Sequence, residues 1–315
     1  MIYSGQSAKN EVRGSMELWI LASLIAASLQ TVRFMLQKIL SSGQLSTAGA
    51  TFARFCYSAP LFWIAVAGYF WINDLAPPQL SLAFWGYAAI GGLSQILATV
   101  CVVALFRTRN FAVGITFKKT EVIQAVCVGI LVLGEGVSFL GLVAILIGLI
   151  GVLLLSDQPF GGASGLSRFA SRATGLGILS GFLFAISAVF YRGATLEVGF
   201  DSALLRASVT LLLVITLQMA AMTIWLYLRE PGQLRAVWNA RKTAIWVGLT
   251  SLGGSLGWFT AFTLQNAAYV KAVGQIELIL SLAASVLFFR EKITARELGG
   301  LGFLVVSIVI LVLRT

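Results

Sequence analysis

Apolar residues fall in ten unbroken runs, near 17–38, 47–71, 81–106, 112–133, 138–155, 173–191, 202–227, 243–265, 270–289 and 294–313, each closed by a short polar or charged stretch. A run of about 20 residues at about 1.5 Å per residue crosses a hydrocarbon core about 30 Å thick. Ten transmembrane helices are therefore predicted. Barrel strands would read as alternating segments of about ten residues, whereas these runs are continuous and rich in Leu, Ala, Gly and Ile. A helix also satisfies its own backbone in lipid, which an open strand cannot.

Composition agrees with the pattern. Of 315 residues, 58% are apolar and 11% charged, and the mean hydropathy is +0.93, far from a soluble domain. The opening "MIYSGQSAKNEVRGS" is polar and has no apolar core of a cleavable signal, so residues 1–16 read as a disordered N-terminal tail and the first helix as the insertion signal. Cys56, Cys101 and Cys127 sit inside apolar runs, where a thiol behaves as a small hydrophobe. The chain has no histidine and no CxxC spacing, which removes the common zinc sets and the Ser/His/Asp triad. No cofactor or metal is implied, and the chain reads as a non-enzyme.

The net charge of +10 changes the picture less than its placement. Basic residues lie at helix ends and in short loops, so they read as topology signals and not as a nucleic-acid surface. Twelve, from Lys38 and Arg107 to Lys292 and Arg296, fall on one face, against Lys9, Arg13, Arg192, Lys271 and Arg314 on the other. That count favours both termini outside.

A shift of 156 positions superposes Gly92 on Gly248, Phe106 on Phe262, Asn110 on Asn266, Ala112 on Ala268, Glu121 on Glu277, Leu131 on Leu287 and Glu135 on Glu291. "TEVIQAVCVGILVLGE" and "IELILSLAASVLFFRE" each place one carboxylate 14 residues before another. The chain divides into a first five-helix repeat at 17–155, a Gly/Ser-rich linker at 156–172 and a second five-helix repeat at 173–313. Five is odd, so the second repeat enters the membrane in the opposite sense. Inverted repeats of this kind build secondary transporters, with the substrate held at the midplane between the halves.

Ten helices in two five-helix repeats, an arginine in each second helix ("FARF" at Arg54, "LLRA" at Arg206) and a "GE" or "RE" closing each fourth helix (Glu135, Glu291) resemble the EamA family of the drug/metabolite transporter superfamily. The resemblance covers about residues 17–313. It implies an all-α integral membrane fold with a central cavity lined by helices one, three and four and their counterparts six, eight and nine. It also implies export or exchange of small metabolites, and it places both termini in the cytoplasm, opposite to the charge count. "FKKTE" in the fourth helix departs from the small apolar residues typical there.

Those charges set the candidate site. Glu121 lies about ten residues into its run, about 15 Å deep, and Glu277 sits at a similar depth in the ninth. Each charge at that depth costs about 2.5–3.5 kcal/mol unless it faces a cavity or a partner. Lys118 and Glu121 share a helix face and can pair, while Lys119 points elsewhere and needs a partner from another helix. Gln30, Arg33 and Gln37 form a polar stripe on the first helix, to bond neighbouring helices or to line the cavity. Lys271, Gln275 and Glu277 open the ninth helix, with Lys271 shallow enough to snorkel to the interface. Ser251, Ser255, Trp258 and Phe262 follow helical spacing on the eighth, as a ligand wall or as core.

The expected substrate-binding residues are therefore Gln30, Arg33, Lys118, Lys119, Glu121, Ser255, Trp258, Lys271, Gln275 and Glu277. Within the spans, Arg33, Arg54, Lys118, Lys119 and Arg206 outnumber Glu121 and Glu277, so the interior carries surplus positive charge and favours a carboxylate or phosphate. No phosphate-binding GxxxxGK[ST] loop occurs, so transport would be secondary. The reading is an exporter or exchanger, as a monomer or alternatively a dimer, of a small anionic or zwitterionic, amino-acid-like metabolite in a bacterial inner membrane. Its partners are the substrate and lipids, not nucleic acid, with the two glutamates as candidate proton carriers. A multidrug efflux protein is the competing transporter reading, and a lipid-handling enzyme or scaffold the reading from another class.

Overall fold

The computed structural model of the protein describes residues 3–43, 45–106, 117–155, 172–280 and 294–314. Among them the chain is all helix, with no strand. In order the helices are α1 Tyr3–Ser42, α2 Thr47–Cys56, α3 Ser58–Ile72, α4 Leu82–Phe106, α5 Glu121–Leu133 and α6 Phe139–Leu155. Then follow α7 Arg172–Leu196, α8 Ala203–Arg229, α9 Gln233–Asn239, α10 Arg241–Leu264, α11 Ala267–Val273 and α12 Ala295–Arg314. Arg107, Arg109, Asn110, Ala112, linker residues 156–171, Leu287, Arg290, Glu291 and Lys292 lie outside the described residues.

Among the described residues, six stretches are long and apolar enough to cross a membrane: Leu18–Ser42, Thr47–Ile72, Leu82–Phe106, Arg172–Leu196, Ala203–Arg229 and Ala295–Leu313. The chain is a multi-pass membrane protein. Its outer surface carries side chains such as Ile64, 73% exposed, and Leu131, 84% exposed, while Arg33, Arg54, Lys118, Lys119 and Glu121 are buried. Apolar outside and charged inside is the arrangement lipid demands and water does not.

Three features depart from the sequence expectation, each with a local cause. The first helix begins at Tyr3, so residues read as a disordered tail are helical. That stretch has no proline, and Gln6, Ala8, Lys9, Glu11 and Arg13 favour a helix continued outward from the membrane despite Gly5 and Gly14. The run 47–71 is two helices meeting at Tyr57. Pro60 has no N–H to give the Cys56 carbonyl, and Ser58 Oγ instead donates to Arg54 O at 2.8 Å and Phe55 O at 3.2 Å.

The third feature bears most on function. The fourth and ninth predicted helices are interrupted. Helical backbone at Phe117 and Lys118 gives way to a turn at Lys119 and Thr120 before α5. Thr120 sends both its N–H (3.2 Å) and its hydroxyl (2.7 Å) to Phe117 O. After α11 the turn is Gly274–Gln275, and helix resumes at 276–280. There Gln275 N–H donates to Ala272 O at 3.1 Å and Glu277 N–H to Gly274 O at 3.2 Å. These three-residue steps tighten the helix and interrupt its four-residue ladder.

The helices pack chiefly α1 with α10, α4 with α7, α6 with α12 and α5 with α7, while α8 lies against α10, α2, α4 and α3, and α11 against α5. Lipid offers no apolar driving force between helices, so close backbone approach at small residues does the joining. One such case is α6 on α12. A Cβ on Gly151 would stand 2.8 Å from Gly300 O, and one on Gly300 would stand 2.8 Å from Gly151 O.

Candidate functional site

A narrow cavity opens where α1, α2, α4, α7, α10 and α11 converge, with about 340 Å³ of space not filled by atoms. The space open to a bound molecule is only about that of one water in this conformation, so the site must widen to admit a larger ligand. Of the expected residues it brings together Gln30, Arg33, Ser255, Trp258 and Lys271, and it adds Arg54, Gln95 and aromatic side chains from α7 and α10.

Two guanidinium groups define its chemistry. Arg54 is 4% exposed and is held by hydroxyls alone: Nε donates to Ser251 Oγ at 2.7 Å, Nη1 to Thr99 Oγ1 at 3.2 Å and Nη2 to Ser255 Oγ at 3.1 Å. Arg33 is 3% exposed. Its Cζ lies 4.5 Å from the Phe34 ring centroid, and its Nη1 has no hydrogen-bond partner. Among the described residues no carboxylate lies within ion-pair distance of either arginine. Lys271, buried and not snorkelling, places its Nζ 5.1 Å from the Trp258 ring and 5.3 Å from Phe184.

The carboxylates stand beside this cavity and not in its wall. Glu121 Oε1 is 3.5 Å from Lys118 Nζ, and its Oε2 is 3.7 Å from Lys271 Nζ. Both helix ends favour this: Glu121 lies in the first turn of α5 and Lys271 in the last turn of α11, each opposite in sign to the local end of the helix dipole. Lys119 finds its partner in Glu277, across the two interruptions. Gln30 Nε2 donates to Glu277 Oε2 at 3.2 Å, and Gln30 Oε1 accepts from Trp258 Nε1 at 3.2 Å. A hydrogen-bonded chain thus runs from the cavity wall at Trp258 through Gln30 to Glu277 and Lys119.

Lys119 and Gln275 do not share the Arg33–Arg54 cavity. They line a second one of about 250 Å³ against Ser307 and Gly148. Consecutive lysines thus serve different partners: Lys118 pairs with Glu121 and Lys119 with Glu277. On α1, Gln37 divides from Gln30 and Arg33 in the same way: its Nε2 donates to Ala50 O at 3.1 Å and joins α1 to α2.

The second predicted helix of each half carries an arginine, Arg54 and Arg206, and the structure places the two differently. Arg206 is half-buried at the start of α8 and donates from Nε to Thr195 O at 2.9 Å. Arg54 lines the cavity, held there by Thr99 of α4 and by Ser251 and Ser255 of α10. Gln95, which sequence reasoning does not single out, accepts from Tyr191 Oη and from Gln218 Nε2, each at 3.0 Å; a lone amide in the middle of run 81–106 is its signal. At the far end of α5, Arg192 grips Glu135 with Nε at 2.5 Å and Nη2 at 2.8 Å. Its Nη1 donates to Phe262 O at 2.7 Å and Gln265 O at 2.9 Å. This joins the ends of α5, α7 and α10.

No family model matches the chain, and no curated protein matches it. Its fold is an established one. A solved structure described only as a crystal structure of a protein aligns with a TM-score of 0.66 over 93% of this chain and 95% of its own, at 13% identity. That likeness concerns the fold alone.

Proposed function

We propose that the protein is a secondary transporter of the EamA type. It moves a small anionic or zwitterionic metabolite across a bacterial inner membrane by alternating exposure of the central cavity. The observation that carries this reading is the pair of helices interrupted beside that cavity, with charged side chains at both interruptions. Irregular backbone inside a membrane is tolerated where it lines a cavity, and transporters use such breaks to present polar groups to substrate. In this reading the chain has ten spans in two inverted repeats.

Contacts exchanged between the halves favour that symmetry. A Cβ on Gly148 would meet Ser307, and one on Gly151 would meet Leu304; 148 and 304, like 151 and 307, differ by 156. Gly92 faces Val214 while Gly248 faces Ser58, the same exchange again. Purified protein in liposomes, offered amino acids, organic anions and cationic dyes, tests the reading. Saturable uptake of an anion or zwitterion is expected. Failure to move any solute would overturn the transporter assignment, and uptake confined to cationic dyes would overturn the substrate charge.

A further inference from the structure

We infer that the substrate is a net anion and not a zwitterion: an organic acid whose carboxylate or phosphate is held by Arg33 and Arg54, with a flat apolar body against the aromatic wall. The inference rests on the transport reading and narrows it, since that reading leaves the two charge types open.

The cavity wall is one-sided. Among the described residues its charged members are Arg33, Arg54 and Lys271, and no carboxylate lines it. The polar remainder is Gln30, Gln95, Ser187, Tyr191 and Ser255. Several of these already have partners. Gln30 is bonded on both sides to Trp258 and Glu277, Gln95 Oε1 accepts from Tyr191 and Gln218, and Ser255 accepts from Arg54. A substrate ammonium group would enter beside three cations and meet no negative charge. Glu121 and Glu277, which could serve it, are engaged with Lys118, Lys271 and Lys119 behind the wall.

An acid group meets the opposite situation. Arg33 is buried and lines the cavity with Nη1 unpartnered, an arrangement that is costly until an acceptor arrives. Arg54 is bound only to neutral hydroxyls, so its charge is uncompensated. Carboxylate and phosphate both suit guanidinium forks. The body of the ligand faces Trp258 and Phe262, whose rings lie 5.8 Å apart and nearly parallel, and Tyr191 and Phe259, 4.3 Å apart.

Four probes of one shape and different charge decide it with the full-length protein: 3-phenylpropionate, phenyl phosphate, phenylalanine and phenethylamine. Binding is read by tryptophan fluorescence and thermal shift in detergent, and transport by uptake into liposomes. Expected is binding of 3-phenylpropionate or phenyl phosphate at least tenfold tighter than phenylalanine, and none of phenethylamine; which acid binds better tells carboxylate from phosphate. R33Q and R54Q should each weaken the acid at least tenfold, and R33K less than R33Q. If either glutamine variant misfolds, the wild-type order of the four probes stands as the test. Phenylalanine binding as tightly as the acids, or no binding of any probe, overturns the inference. Acid binding without uptake of any probe keeps it and overturns the transport reading, whereas uptake of phenylalanine in preference to the acids does the reverse.

Discussion

Lys119 and Glu277 form an ion pair between the two interrupted helices, one from each half of the chain. Lys119 is buried, and the Glu277 side chain is only 13% exposed. Glu277 also accepts from Gln30, so the pair is anchored to α1 and, through Gln30, to Trp258.

Breaking that pair from one side should cost more than removing it whole. Lys119→Met leaves a carboxylate in a nearly dry setting, and truncating one partner of a buried pair typically costs about 3–5 kcal/mol. Lys119→Met with Glu277→Gln removes both charges and should regain most of the loss. Thermal unfolding of Lys119→Met, Glu277→Gln and the double variant in the same detergent checks this; a double-variant loss equal to the sum of the two single losses would mean the pair contributes no coupling.

The pair also shows what a sequence can and cannot reveal. Helical spacing turns Lys119 away from Glu121 and so demands a partner outside its own helix, and it has one. That Glu277 is the partner follows only when two helices break at matching places, and the signals for breaking are short: a threonine that captures the carbonyl three residues back, and Gly274. Arg54 is counted among the interior cations but not among the expected site residues, because its partners Thr99, Ser251 and Ser255 come from two other helices that spacing alone does not bring together. The apolar runs are long and continuous, so the helices are legible. The site depends on bends of single residues, so only half of its wall is.

Gly274 joins the second interruption to the cavity. A Cβ there would lie 2.4 Å from Trp258 Cη2 and 3.2 Å from Cζ3, so Gly274→Ala must displace the indole. Its backbone is right-handed, φ −59° and ψ −17°, so no conformational strain accompanies the methyl group. The variant should stay folded, losing about 1–3 kcal/mol at most from overpacking, while Trp258 fluorescence shifts and probe binding falls. Unchanged emission and binding would show that the ring is not held by this turn.

Arg192 should resist replacement by lysine. Its fork makes two bonds to Glu135 and two more to the carbonyls of Phe262 and Gln265, a geometry that one ammonium cannot reproduce. Arg192→Lys keeps the charge and should still lose about 1–2 kcal/mol, on the scale of one or two charge-assisted bonds. Comparing melting temperatures of Arg192→Lys and Arg192→Gln separates fork from charge: a lysine variant as stable as the native protein would assign the effect to charge alone.

On α12 the helix–helix contact offers its own control. A methyl group on Gly300 would stand 2.8 Å from Gly151 O, whereas one on Gly299 or Gly302 would meet nothing within 4 Å. Gly300→Val should therefore force α6 and α12 apart and cost at least about 1–3 kcal/mol, the usual penalty for overpacking a close contact. Gly302→Ala, on the open side of the same helix, should be neutral or stabilise by up to about 1 kcal/mol through helix propensity. Unfolding of both variants in detergent gives the comparison. If Gly302→Ala were as harmful as Gly300→Val, the approach of α6 would not be what sets the effect. If both were harmless, the contact with Gly151 would not be holding the two helices together.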